Sequence, residues 1–125
     1  MMRIYKEFNF EAGHYLPSAP AGHPNSRIHG HSFHVRVTVE GEPDSETGLL
    51  IHFEEFKDRL ATIRDQLDHR FLNEIPGLET PTLERIAQWM WHELEPDVPG
   101  LADIHVARPS CGEGCIVSRN ESITK

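Results

Sequence analysis

Residues 29–40 read His29-Gly30-His31-Ser32-Phe33-His34-Val35-Arg36-Val37-Thr38-Val39-Glu40. His31, Phe33, Val35, Val37 and Val39 fall on one parity; Ser32, His34, Arg36, Thr38 and Glu40 fall on the other. A period of two predicts a strand with one buried face. Upstream, Tyr5 to His14 alternates in the same way. Phe8, Phe10, Ala12 and His14 oppose Glu7, Asn9, Glu11 and Gly13. Between the two strands, residues 16–27 hold three prolines and one glycine, which predicts a loop. A loop of that length in so small a chain is often functional.

Downstream, Gly41 to Ser45 turns the chain, and Leu49 to Ile51 predicts a short extended piece. At Phe53 the period changes. Phe53, Phe56, Leu60, Ile63 and Leu67 are spaced three and four apart, which predicts an amphipathic helix ending near Leu67. A second helix is expected after Asp68 to Thr80, with Thr80 as its cap and Pro81 at its first position. Its buried stripe is Leu83, Ile86, Ala87, Met90, Trp91 and Leu94, and Pro96, Pro99 and Gly100 end it. Ile104, Val106 and the stretch from Cys115 to Ser118 predict two last strands around a glycine-rich turn, Cys111 to Cys115, with small buried thiols. The order strand, strand, helix, helix, strand, strand predicts an α+β fold. Its layers are a four-stranded antiparallel sheet with both helices on one face. Open sheet edges favour assembly with further copies.

Composition narrows the function. The 125 residues make one domain, expected over 1–125. With 38% apolar and 26% charged residues the chain is a globular protein, too apolar for disorder. The net charge of −8 argues against a nucleic-acid partner. No apolar run is long enough to span a membrane. Arg3 and Lys6 stand where a secretory segment needs apolar residues, so the expected location is the cytoplasm. Two cysteines, Cys111 and Cys115, are expected to be thiols in a reducing compartment.

Nine of the 125 residues are histidine. His29 and His31 are two apart on a strand and point the same way. His14 ends the inner face of the first strand. If the two strands are neighbours, three imidazoles converge at one end of an apolar surface. Three neutral nitrogen ligands with an open position are the layout of a catalytic zinc site, although iron and nickel accept the same donors. The pattern also arises from histidines satisfied in a core or solvated at the surface, and both readings stand at this point. Asp68 and His69 adjoin at the end of the first helix. A carboxylate beside an imidazole orients it and raises its basicity. Adjacent residues on a regular element diverge, so the pair acts through a bend, across an interface, or only as a helix terminus. Thr82 and Glu84 read as first-turn helix residues.

Taken in order, Phe8-Asn9-Phe10-Glu11-Ala12-Gly13-His14, Ile28-His29-Gly30-His31-Ser32-Phe33, Leu67-Asp68-His69-Arg70-Phe71-Leu72-Asn73, Ile75-Pro76-Gly77-Leu78-Glu79, Pro81-Thr82-Leu83-Glu84 and Cys111-Gly112-Glu113-Gly114-Cys115 resemble the 6-pyruvoyl-tetrahydropterin synthase family. The likeness is greatest to its bacterial queuosine-pathway branch, the 6-carboxy-5,6,7,8-tetrahydropterin synthases. The resemblance implies the tunnelling fold: three sheets closing into a barrel, and two trimers stacking as a hexamer. It implies zinc on His14, His29 and His31, in a site between subunits that Asp68 and His69 can serve from a neighbour. It implies a pterin-like small-molecule substrate such as 7,8-dihydroneopterin triphosphate. Zinc would grip its side-chain hydroxyls, triphosphate would leave, and the side chain would be cleaved. Asp68 would orient His69 as proton donor or relay, and Thr82 would contact the pterin ring.

Three positions depart from the family pattern. Asn25 stands where the family has a catalytic cysteine, and an amide is no general base near neutral pH. Pro109 stands where the family has a pterin-anchoring glutamate, with Glu113 nearby in the same turn. His52 stands where an aspartate often caps the first helix. The expected function is therefore a zinc-dependent lyase on a dihydroneopterin triphosphate or close relative. The alternatives are a metal-dependent enzyme on another small heterocycle and a non-catalytic metal- or pterin-binding module.

Overall fold

The computed structural model describes residues 1–119; residues 120–125, which the expected domain includes, lie outside the described residues. Two long strands, β1 (Met2–His14) and β2 (His29–Gly41), pair antiparallel along their whole length, from Met2 opposite Gly41 to His14 opposite His29. The helix α1 (Phe53–Leu67) follows, then a two-residue strand β3 (Arg70–Phe71), the helix α2 (Leu83–Leu94), and the strands β4 (Leu101–Arg108) and β5 (Glu113–Ser118). The sheet order is β3-β1-β2-β4-β5.

The parity read from the sequence is the parity of the core. Phe10, Ala12 and His14 on β1, and Phe33, Val35, Val37 and Val39 on β2, are buried. On β4, Ile104 and Val106 continue that face. Phe10 lies opposite Phe33, and their rings stack 4.7 Å apart. Each such buried aromatic contributes roughly 2–3 kcal/mol. Phe56, Leu60, Ile63 and Leu67 from α1, and Leu83, Ile86, Ala87, Met90 and Leu94 from α2, join the same cluster. Both helices therefore cover one face, α1 over β1 and α2 over β4 and β5. Gly100, before β4, takes φ +80°, and a Cβ there would stand 2.5 Å from the Glu40 carbonyl. Only glycine lets β4 enter beside β2.

Several expectations change. The sheet has five strands, not four, and is mixed, because β3 runs parallel to β1. His69 causes this. Its left-handed backbone, φ +59°, bends the chain after α1 and lays Arg70 opposite Ala12. Leu49 to Ile51 form no strand; the Leu49 carbonyl instead accepts the Asp44 N–H and closes a loop. The cap of α2 is Thr82, not Thr80, and Pro81 lies before the helix. The Arg85 N–H goes to Thr82 Oγ1 at 3.1 Å, which leaves the Pro81 carbonyl free for a tertiary partner. Trp91 is only partly buried, and Cys111 is exposed in the one-turn helix Pro109–Cys111, which projects past the ends of β4 and β5. His52 caps α1 with no side-chain hydrogen bond. No helix among the described residues is long and apolar enough to cross a membrane.

Candidate metal centre and proton relay

The β1–β2 register brings the histidines together. His14 lies directly opposite His29, and His31 lies opposite Ala12 on the same face. The ring centroids of His14, His29 and His31 are 4.6–5.1 Å apart, and one nitrogen from each ring lies within 4.8 Å of the others. Backbone carbonyls fix two of the rings. His14 Nδ1 is 2.9 Å from the Pro81 carbonyl and His29 Nδ1 is 2.8 Å from the Arg27 carbonyl. A carbonyl only accepts, so each Nδ1 carries the proton and each Nε2 keeps its lone pair. The Nε2 atoms of His14 and His31 are buried without a hydrogen-bond partner. Buried, partnerless acceptors aimed at one point are costly unless a cation takes their lone pairs. Three imidazoles, two of them with carbonyl-fixed tautomers, fit a divalent metal.

Burial disfavours the charged form of the His14 and His31 rings. Burial lowers the pKa of His14 to about 4, reinforced by His29, His31 and Arg108 and opposed by the Pro81 carbonyl. Burial also lowers His31, with the Arg108 guanidinium adding to it and Glu113 opposing it. In the metal-free protein this couples folding to protons. Between the ordinary histidine value of 6.5 and about 4 the unfolded chain binds a proton that folded His14 refuses. Stability is therefore fully present above that window and falls as pH drops through it. Urea midpoints measured in chelator from about pH 8 to pH 4 should be flat at first and then decline. A flat profile down to about pH 4 would contradict the burial of His14.

Asp68 and His69 meet through a bend. Asp68 is the extended C-cap of α1 and His69 is left-handed, so the two side chains turn to one side. His69 Nδ1 stands 2.9 Å from Asp68 Oδ2, while Asp68 Oδ1 accepts the Glu11 N–H at 2.9 Å. That backbone N–H first, then His69 and Arg64, hold the Asp68 carboxyl below its ordinary range. The His69 ring itself is largely exposed, and with His31 it lines an open cleft of about 570 Å³. Glu11, Ser32, Arg70 and Ser110 complete the polar lining. Neither they nor the Pro81 and Arg27 carbonyls were singled out from the sequence. The alternation does place Glu11 beside Ser32, and their side chains bond at 2.6 Å. Thr82 does not line this cleft; it sits at the α2 cap, one residue beyond the carbonyl that holds His14.

The model of the family described as 6-pyruvoyl tetrahydropterin synthase matches residues 3–120. The chain belongs to that family. Within the 6-pyruvoyl tetrahydropterin synthase family, a 6-carboxy-5,6,7,8-tetrahydropterin synthase of Synechocystis sp. is 44% identical over 112 residues, 85% of each chain. A dihydroneopterin monophosphate aldolase of Pyrococcus furiosus is 34% identical over 112 residues, 90% of each. The solved 6-pyruvoyl tetrahydropterin synthase of Caenorhabditis elegans superimposes with a TM-score of 0.82 at 21% identity, covering 95% of this chain and 96% of that one. That likeness carries the fold. Membership makes this a protein of the pterin synthase and aldolase group. Asn25 lies in the one-turn helix Pro24–Ser26, which is pinned by its N–H to His23 Nδ1 and its carbonyl to the Leu16 N–H. Pro109 is exposed in the last turn. Glu113 is ion-paired with Arg108, its partner in the β4–β5 register.

Proposed function

We propose that this chain is a zinc-dependent lyase acting on 7,8-dihydroneopterin triphosphate or a close relative. The observation that carries the reading is the convergence of His14, His29 and His31, one nitrogen of each within 4.8 Å of the others, beside a cleft that His31 shares with the carboxylate-held His69. His14, His29 and His31 would hold the metal, which supplies Lewis-acid polarisation of substrate oxygens when bound. The chain's own residues do the rest. Asp68, held ionised, keeps the proton of His69 on Nδ1 and leaves Nε2 to accept or return a proton at the substrate side chain. Thr82, outside the cleft of its own chain, is assigned to the pterin ring by the resemblance; its Oγ1 accepts from Arg85, so its hydroxyl hydrogen is free to donate.

The reading extends to assembly and place. One tunnelling-fold domain over 1–125, closing with other copies into a barrel and a hexamer, is supported by the edge of β5, which no further strand among the described residues covers, and by β1, which β3 covers at only two residues. Cytoplasmic activity in the queuosine-pathway branch is part of the same proposal, supported by the resemblance and by the relative named a 6-carboxy-5,6,7,8-tetrahydropterin synthase.

A specific observation favours a second reading, aldolase-type cleavage. Asn25 cannot act as a base, and the Pyrococcus relative is named an aldolase. A retro-aldol step needs one group. His69 takes the proton of a side-chain hydroxyl, the adjacent carbon–carbon bond breaks, and its electron pair enters the ring C=N. His69 then returns the proton to the new carbanion carbon. Incubating zinc-loaded protein with the neopterin triphosphate and, separately, the monophosphate decides between them. Triphosphate release supports the lyase. Aldehyde release with phosphate retained supports the aldolase. No turnover of either by fully loaded protein overturns both and leaves a binding module.

A further inference from the structure

Arg64 lies on α1, one turn before Asp68, outside the stretches that carry the family resemblance. Its guanidinium is divided between two acceptors. Nε donates to the Asn9 carbonyl at 2.8 Å, and Nη2 stands 3.3 Å from Asp68 Oδ2. Asn9 belongs to the stretch of β1 beyond the two residues that β3 covers, so this carbonyl lies on an otherwise open edge. Asp68 is thereby held on both oxygens: Oδ1 by the Glu11 N–H, Oδ2 by Arg64 and by His69 Nδ1.

The His69 ring depends on that carboxylate. Its side chain is 78% exposed, so packing does not orient it. Its backbone is fixed by the N–H to the Glu11 carbonyl at 2.6 Å, but the ring has one side-chain partner among the described residues, Asp68 Oδ2. Whatever lets the carboxylate turn lets the imidazole turn.

We propose that Arg64 is a positioning residue: it clamps Asp68 to the β1 edge and so fixes the direction of His69 Nε2 into the cleft. The proposal rests on the proposed role of His69, but the clamp itself can be tested apart from it. An ordinary exposed i,i+4 ion pair would add little to stability and nothing to chemistry. A clamp acts on turnover and acts only through Asp68.

Four measurements separate these. Arg64→Gln should lower kcat about tenfold while KM and zinc content stay at wild-type values, because misdirection of one group costs rate rather than binding. Arg64→Lys keeps the charge but cannot span both acceptors, so it should share the loss; a lysine variant with full kcat overturns the two-acceptor clamp. In an Asp68→Asn background, Arg64→Gln should have no further effect on kcat, and losses that multiply fully overturn action through Asp68. The fourth measurement needs no substrate. The Asp68 carboxyl, followed by ¹³C NMR, should titrate higher in Arg64→Gln than in wild type, toward the ordinary value of 3.8. Glu11, His31, His69 and Arg70, the other titratable or charged groups around the cleft, are the same in both proteins, so the difference belongs to Arg64. An unchanged titration overturns the clamp even if wild-type protein shows no turnover, and that absence of turnover would count against the lyase reading alone.

Discussion

His29→Ala should abolish stoichiometric zinc binding and lower turnover by roughly three orders of magnitude or more, the several kcal/mol that a bound Lewis acid supplies. His29 is the informative ligand to remove. His14 is 1% exposed and packs beneath the sheet end, so its loss mixes a cavity with the missing ligand. His29 is only half-buried at the first residue of β2, and its ring is tied to the Arg27 carbonyl alone. Alanine there removes one of three donors and leaves the β1–β2 register to the paired strands behind it. Elemental analysis of the purified variant, with urea melts to confirm the fold, provides the check. One full equivalent of zinc in a folded His29→Ala protein would show that the three rings do not form the metal centre.

Asp68→Asn should lower kcat by about 10²–10⁴-fold, the usual range for a general acid–base group, with zinc retained. The carboxylate is an acceptor on both oxygens: it faces the Glu11 N–H at 2.9 Å, His69 Nδ1 at 2.9 Å and Arg64 Nη2 at 3.3 Å. Asparagine has one accepting oxygen and one donating NH₂. If the NH₂ faces Glu11, two donors collide and the C-cap of α1 is disturbed. If it faces His69, the imidazole must present Nδ1 as an acceptor, which places the proton on Nε2, the atom that should be free. Either orientation spoils the relay. Steady-state kinetics on zinc-loaded protein supplies the test, and a kcat within about twofold of wild type would remove Asp68 from the mechanism.

Much of this arrangement was legible in the sequence because it follows from periodicity. The alternation through Phe10, Ala12 and His14 and through His29, His31 and Phe33 puts the three histidines on one face. The change of period at Phe53 and its end at Leu67 are the observed limits of α1. What escaped has no side-chain signature. The Pro81 and Arg27 carbonyls that set the histidine tautomers are backbone atoms, and any residue offers one. The strand β3 is too short for a period to register, and it depends on a left-handed conformation at His69 that only a few per cent of non-glycine residues adopt. The same bend allows neighbouring Asp68 and His69 side chains to meet, which a regular element forbids. Arg64 escaped because its partners, Asn9 and Asp68, lie on β1 and at the end of its own helix, and nothing in the spacing announces the first.

The carbonyl tethers on His14 and His29 have a consequence for how an ion is taken up. In a free peptide each histidine must shed a proton and select a tautomer before it can coordinate. Here folding has already done both for His14: burial has driven off the ring's second proton and the Pro81 carbonyl has placed the first. Loading at neutral pH then ejects almost no hydrogen ions from that ligand, and the entropy of ordering the cage is spent during folding rather than at capture. The geometry around His14 is thus set before any ion arrives.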